Sequence, residues 1–154
     1  MTAQTIVEDG AGRFDAHEHR DLALGMTYIA ETVERATELS ATDLWSRLHR
    51  SLAWLTHDLR PHMVWEDATL YPAIDERAGT PWATRFARSE HRQIETLIAA
   101  LETDSAIWLD HRTPRTCADI VSHLSAIRAV IAGHIEREER ILLPLLGAAP
   151  GPDR

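Results

Sequence analysis

The most informative segment of the chain is His134-Ile135-Glu136-Arg137-Glu138-Glu139-Arg140-Ile141-Leu142-Leu143-Pro144. It places a histidine and a glutamate four residues apart, and a proline ten residues after the histidine. A nearly equivalent segment occurs earlier: His62-Met63-Val64-Trp65-Glu66-Asp67-Ala68-Thr69-Leu70-Tyr71-Pro72. Its histidine, glutamate and proline each precede their counterparts by 72 residues. The chain therefore contains two copies of one unit.

The same offset relates two further motifs and the apolar residues around them. Glu18-His19-Arg20 falls onto Glu90-His91-Arg92. Apolar residues recur every three or four positions beside each histidine, which is the spacing of one face of an α-helix. In the second helix a leucine stripe runs into His62 and Glu66, so these polar side chains continue the buried face. The leucines are Leu48, Leu52, Leu55, Leu59 and Leu70.

The pattern predicts four long helices and no strands. Ser40, Gly79, Thr80-Pro81 and Thr113-Pro114 supply caps and first-turn prolines between the helices. Two helical hairpins related by a pseudo-twofold axis would form an up-down-up-down four-helix bundle. We expect this all-α bundle over residues 13–146, with a flexible N-terminal tail over 1–12 and a flexible C-terminal tail over 147–154.

Two local features bear on the helix boundaries and on helix regularity. Asp15 and Glu18 have the spacing of a capping box, so we expect the first helix to begin at Asp15. Pro61 lacks a backbone N–H, and Gly133, its counterpart in the second copy, is a weak helix former. We hypothesise that both residues loosen their helix just before the next residue, a histidine, so that the imidazole reaches inward.

Composition excludes several classes of function. A chain of 154 residues can bury the core of one domain. The formal charge of −8 argues against a nucleic-acid partner, and no apolar run approaches the roughly 18 residues of a membrane span. Cys117 is the only cysteine, which excludes an internal disulfide and fits a reducing compartment. We expect a cytoplasmic monomer or weak homo-oligomer without nucleic-acid or membrane partners.

Histidines and glutamates on an inner helix face need a partner, because a buried carboxylate alone is unfavourable. A metal cation satisfies both groups, with imidazole nitrogens and carboxylate oxygens as ligands. Two ions fit the number and symmetry of the donors better than one, with Glu66 and Glu138 as bridges. Donors without thiolate suit iron, zinc or manganese. The proposed metal ligands are His19, His62, Glu66, His91, His134 and Glu138.

Other polar residues are weaker candidates for the site. Glu95 follows His91 by one turn and could be a further ligand, an acceptor for a ligand N–H, or a surface residue. His123 is expected to be a core histidine and not a ligand. The sequence places neither Tyr28 nor Tyr71 at the metals. The remaining histidines are expected on solvated faces or loops: His49, His57 and His111.

The ordered motifs make the chain similar to a known family. From roughly Phe14 to Leu146 it resembles a hemerythrin-like (HHE cation-binding) domain. The resemblance rests on His19, His62-x3-Glu66, His91 and His134-x3-Glu138. It implies a non-haem centre of two iron ions, bridged by two carboxylates and an oxo or hydroxo group. It also implies one position open to dioxygen, peroxide or nitric oxide.

Two departures from the oxygen-carrying members bear on function. Those proteins have a second histidine on the third helix, where this chain has Glu95, and a more widely spaced histidine–aspartate pair on the last helix, where it has Glu138. More carboxylate stabilises oxidised iron, so reversible oxygen carriage is not expected. We expect a protein that binds iron and a small oxidant or gas in sensing or stress response. The alternatives are a di-iron enzyme that decomposes hydrogen peroxide or reduces nitric oxide, and a purely structural metal.

Overall fold

The computed structural model describes the backbone of residues 3–147 and the side chains of residues 19–147. Over this range the chain forms four long helices and no strand. Helix α1 spans Ala3–Glu34 and α3 spans Arg85–Asp110. Helix α2 runs over 41–78 and α4 over 114–147, each composed of consecutive α-helical and π-helical segments. The predicted all-α four-helix bundle is confirmed.

The helices pack in a closed ring. Helix α1 contacts α2 and α4, and α3 contacts the same two helices. The connections at 35–40, 79–84 and 111–113 are short, so consecutive helices run antiparallel. This arrangement is the up-down-up-down order that the sequence predicts. In the part of the chain that the structure describes, none of the helices contains an apolar stretch of the length that a membrane span requires.

The predicted caps are confirmed at three of the helix ends. The side chain of Ser40 accepts the N–H of Asp43 at the start of α2, and Thr113 accepts that of Thr116 at the start of α4. Gly79 ends α2 with a φ of 68°, in the left-handed region where glycine avoids a steric penalty. The sequence therefore locates these boundaries through local chemistry alone.

Two predicted helix starts differ from the structure. Helix α1 begins at Ala3, well before the expected Asp15, so the helix extends through most of the predicted N-terminal tail. The predicted C-terminal tail covers residues 147–154, and those from 148 onward lie outside the described part of the chain. Helix α3 begins at Arg85 and not at Pro81, because Asp75 accepts both the N–H and the hydroxyl of Thr84 and holds residues 81–84 in a turn.

Three π-helical segments interrupt α2 and α4, and each ends two residues before a proline. The segments and their prolines are Leu55–Leu59 with Pro61, Glu66–Leu70 with Pro72, and Glu138–Leu142 with Pro144. The residue before each proline donates its N–H to the carbonyl five residues earlier, as Tyr71 does to Glu66. A proline ring crowds the carbonyl four residues earlier and cannot bond it, so the wider turn relieves the clash.

Two of these π-helical segments are equivalent in the duplicated halves. The third, Leu55–Leu59, falls where the second half has a regular α-helix. Glu66–Leu70 and Glu138–Leu142 occupy equivalent positions, and each begins at a proposed bridging glutamate. The hypothesis that Gly133 loosens its helix is wrong, since it lies within the uninterrupted α-helix Pro114–Arg137. Glycine keeps its backbone N–H, so the regular hydrogen bonds survive there, whereas Pro61 removes one.

The buried side chains form two apolar clusters with a polar layer between them. The larger cluster fills most of the bundle and includes Leu59, Ile94 and Ile131. The smaller one lies at one end and includes Leu70 and Leu142. Along α2 and α4, the proposed ligands fall between residues of the two clusters. The polar layer is therefore closed above and below by apolar side chains.

Candidate metal centre

All six predicted ligand residues converge on the bundle interior. Each helix delivers one histidine, and α2 and α4 each add a glutamate one turn later. None of the six is more than 8 % exposed, and Glu66 is 0 % exposed. Their donor atoms form two groups, each within 4.8 Å, that share Glu66. The groups are His19, His62, Glu66 and Glu138, and Glu66, His91 and His134.

The four imidazoles all present Nε2 to the two glutamates. His62 Nε2 lies 2.7 Å from Glu66 Oε1, and His91 Nε2 lies 3.1 Å from Glu66 Oε2. His19 Nε2 lies 3.3 Å from Glu138 Oε2. His134 Nε2 lies 3.9 Å from the same oxygen and 3.2 Å from His91 Nε2. Nitrogen and oxygen donors from four helices thus surround one small volume.

The outward nitrogens of three of these imidazoles face carboxylates. His19 Nδ1 lies 3.0 Å from Glu139 Oε1, and His134 Nδ1 lies 3.1 Å from Glu90 Oε2. His91 Nδ1 lies 3.2 Å from Asp67 Oδ2, off the direction of a hydrogen bond. At His19 and His134, the carboxylate that is hydrogen-bonded to Nδ1 keeps the proton there and leaves the Nε2 lone pair facing inward, as metal-ligating histidines require.

The outward carboxylates follow the same internal duplication, which the sequence reasoning missed. Asp67 and Glu139 are related by the 72-residue offset, and each directly follows a proposed bridging glutamate. Asp67 faces the histidine of α3, and Glu139 faces that of α1. The signal was present in the sequence as a repeated pair of adjacent acids, Glu66-Asp67 and Glu138-Glu139. In each pair the first acid faces inward and the second supports a histidine.

The two inner carboxyls respond differently to their surroundings. Burial raises the pKa of Glu66, but the four imidazoles around it outweigh that effect and hold the pKa well below its usual value. Burial raises the pKa of Glu138 to about 7; His19 opposes the rise, and the negative charge of Glu66 adds to it. Without a cation, two adjacent buried carboxyls therefore favour one ionised and one protonated group.

Tyr71 lies at the cluster, although residue spacing along the helix does not predict this position. Its hydroxyl is 3.3 Å from His91 Nε2 and 3.5 Å from His134 Nε2, and its side chain is fully buried. Tyr71 follows Glu66 by five residues, a spacing that leaves the inner face of a regular α-helix. The intervening π-helical segment returns it to that face. Burial first, then the charges of Glu66 and Glu138, raise the pKa of Tyr71, so the phenol keeps its proton.

The weaker candidates lie elsewhere. Glu95 pairs with Arg60, with Oε2 2.9 Å from Nη2, and is not among the clustered donors. His123 Nδ1 lies 2.6 Å from Asp104 Oδ2, away from the six. The three histidines that were expected on solvated faces are exposed: His49, His57 and His111.

The fold and the cluster together define a class of protein. A four-helix bundle whose facing helices direct histidines and carboxylates into the core is a metal-binding bundle. The chain matches the family described as hemerythrin HHE cation binding domain over residues 13–146. It belongs to that family, which confirms the resemblance. No curated protein and no solved structure matches the chain.

Proposed function

We propose that the six clustered residues hold two iron ions and that the loaded protein binds a small oxidant or gas, in sensing or stress response. The observation that carries the proposal is the pair of donor groups that share Glu66. One carboxylate common to two sets of histidines suits two adjacent cations. Zinc or manganese would also accept this donor set.

The cluster fits cations because its buried carboxylate oxygens face imidazole nitrogens without making aligned hydrogen bonds to them. Within the described residues, no oxygen of Glu66 or Glu138 accepts an aligned hydrogen bond, although both carboxylates are buried. Such groups are costly without compensation. Two divalent cations would offset the carboxylate charges and accept the imidazole lone pairs. Bound iron would supply an open coordination position and a redox change to dioxygen, nitric oxide or peroxide.

The chain's own groups would tune such a centre. Glu139 and Glu90 orient the imidazoles of His19 and His134 through hydrogen bonds at Nδ1. Asp67 adds a negative charge 3.2 Å from Nδ1 of His91. The apolar clusters on both sides keep bulk water from the donors. A small uncharged ligand tolerates such surroundings better than a large or ionic one, which supports a gas or peroxide as the bound molecule.

Substitution of single ligands tests the proposal. We expect H134A and E138A to lose most bound iron and the near-ultraviolet absorbance of the oxidised protein, because each removes a donor. H123A is the matched control, since it removes a histidine of the same helix that pairs with Asp104. Iron content by mass spectrometry and absorbance spectra give the readout. Full iron retention in both ligand variants would refute the site.

Tyr71 favours an enzyme as a second candidate function. A reaction that breaks an O–O or N–O bond needs a proton donor, and Tyr71 places a phenol hydroxyl beside two proposed ligands. We expect Y71F to keep its iron but to consume hydrogen peroxide about 10²-fold more slowly, the usual effect of losing a general acid. Y28F, which changes a phenol on α1 that lies under Arg47, is the control. Equal rates in wild type and Y71F would leave the binding function favoured.

A further inference from the structure

The carboxylate that supports His134 is itself held by an arginine. Glu90 Oε2 lies 3.1 Å from His134 Nδ1, and the other oxygen, Oε1, accepts a hydrogen bond from Arg137 Nη2. Glu90 lies on α3, whereas His134 and Arg137 lie one turn apart on α4. Both oxygens of this carboxylate are therefore engaged, one by a proposed ligand and the other by a positive charge.

Gly133 makes room for the arginine. The side chain of Arg137 runs back along α4, so a Cβ at Gly133 would lie 3.1 Å from both terminal nitrogens of the guanidinium. Non-bonded heavy atoms prefer separations of about 3.5 Å or more, so an alanine at this position would displace the guanidinium from Glu90. The glycine thus has a local role that helix regularity does not explain, since its missing side chain seats Arg137.

Glu90 has another position open to it. Its side chain is 12 % exposed, and it lines a surface cavity of about 660 Å³ together with Arg85 and Arg92. Water and these two arginines would all attract a carboxylate that left the histidine. The ion pair with Arg137 opposes that movement, because it fixes one oxygen while the other faces His134. Arg137 therefore keeps the carboxylate at Nδ1.

An arginine in this place belongs to the second half of the chain alone. The counterpart of Arg137 in the first half is Trp65, which carries no charge. The carboxylate at Nδ1 of His19 is that of Glu139, whose side chain is 53 % exposed. Among the described residues, no arginine forms an ion pair with Glu139. The two histidines are thus supported differently, and only the support of His134 is fixed by an ion pair.

We propose that Arg137, seated on Gly133, is a positioning residue that holds Glu90 at His134 and so fixes this imidazole for a cation. The inference rests on the proposed function, because it assumes that cations bind at the cluster. The direction of the effect separates positioning from plain electrostatics. A positive charge near a cation site disfavours the cation, so loss of Arg137 would tighten binding if the field alone mattered. Loss of a positioning residue weakens binding instead.

Metal affinity tests the proposal. Metal-free protein is titrated with Co²⁺, which nitrogen and oxygen donors bind, at free concentrations set by a metal buffer, and its visible absorbance is followed. We expect E90Q to weaken Co²⁺ binding by about 10- to 100-fold and R137Q by about tenfold, the effect of losing a partner outside the ligands. R137K keeps the positive charge and should recover most of the affinity.

G133A separates positioning from stability. We expect it to weaken Co²⁺ binding less than R137Q does, while it raises the Tm of the metal-free protein because alanine favours a helix over glycine. A residue pair that only stabilised the fold would not lose metal affinity in a more stable variant. Wild-type Co²⁺ affinity in G133A would overturn the role assigned to Gly133.

R140Q is the matched control. It removes an arginine of the same helix whose partner is the exposed Glu136, and it should bind Co²⁺ like wild type. Unchanged or tighter binding in R137Q, or an equal loss in R140Q, would overturn the positioning role. Absence of Co²⁺ binding by wild type would instead overturn the proposed centre itself.

Discussion

At the scale of single residues, the candidate centre depends on which nitrogen of each imidazole faces inward. Sequence spacing could place the histidines on the buried face, but it could not assign Nε2 to the interior. The carboxylates at Nδ1 make that assignment for His19 and His134 through aligned hydrogen bonds. These acids are distant in sequence from the histidines they contact, so only the tertiary structure pairs them.

Glu138 gives a residue-scale prediction about the metal-free protein. Its folded pKa of about 7 lies above the ordinary 4.5, so the folded state holds a proton that the unfolded chain has lost between these values. The free energy of unfolding therefore falls as pH rises through that window, by about 3 kcal/mol in total. The lowered pKa of Glu66 acts below pH 4.5 and does not contribute there.

The neutral variant E138Q isolates this effect. We expect metal-free E138Q to match wild type near pH 5 and to exceed its stability near pH 8, because glutamine cannot ionise. Thermal unfolding of both proteins at pH 5, 6, 7 and 8 gives the comparison. E136Q, which changes an exposed glutamate of the same helix paired with Arg140, should follow wild type throughout. A constant gap between wild type and E138Q would contradict the prediction.

At the scale of elements, prolines determine what α2 and α4 can present to the core. Pro72 and Pro144 each follow a π-helical segment that starts at a glutamate of the cluster. In the first half, that segment also turns Tyr71 inward. The prolines recur in the sequence, but a helical spacing of 3.6 residues per turn does not predict the change of helical period. Sequence spacing therefore does not place Tyr71 at the cluster.

The end of α2 gives an element-scale prediction. Gly79 has a φ of 68°, and a Cβ there would meet no atom within 4 Å, so G79A should act through backbone strain alone. We expect a loss of about 1 kcal/mol, or about 2–4 °C in Tm for a chain of this size. G147A is the matched control, since Gly147 is also unobstructed but has no positive φ. Equal Tm values for G79A and G147A would contradict a left-handed conformation of Gly79 at the end of α2.

At the scale of the whole molecule, the polar layer divides the core. Four imidazoles and two carboxylates lie between the larger and smaller apolar clusters. Neither cluster alone spans the bundle, so the polar layer joins them. The contribution of this layer to the free energy of unfolding depends on whether a cation occupies it. In the metal-free chain, the two adjacent buried carboxyls destabilise the folded state at this layer. A cation that binds only the folded state would stabilise it.

Metal removal gives a prediction at this scale. Loading to about 1,000 times the dissociation constant should add about 4 kcal/mol to the free energy of unfolding, or about 10 °C in Tm. Calorimetry of loaded and chelator-treated protein measures the difference. H134A should lose most of the gap, whereas H123A should keep it, since His123 pairs with Asp104. A gap of the same size in H134A would mean that metal stabilises the chain from another site.

Sequence alone determined the four helices, their order, the caps at Ser40, Gly79 and Thr113, and the inward direction of the six clustered residues. Each of these follows from local chemistry or from the spacing of residues along one helix, and the internal duplication repeats that spacing. Tertiary structure alone decided the carboxylate partners of the imidazoles, the position of Tyr71 and the surface pairing of Glu95 with Arg60. These depend on contacts between different helices and on local widening of a turn, and the spacing of apolar residues along one helix reports neither.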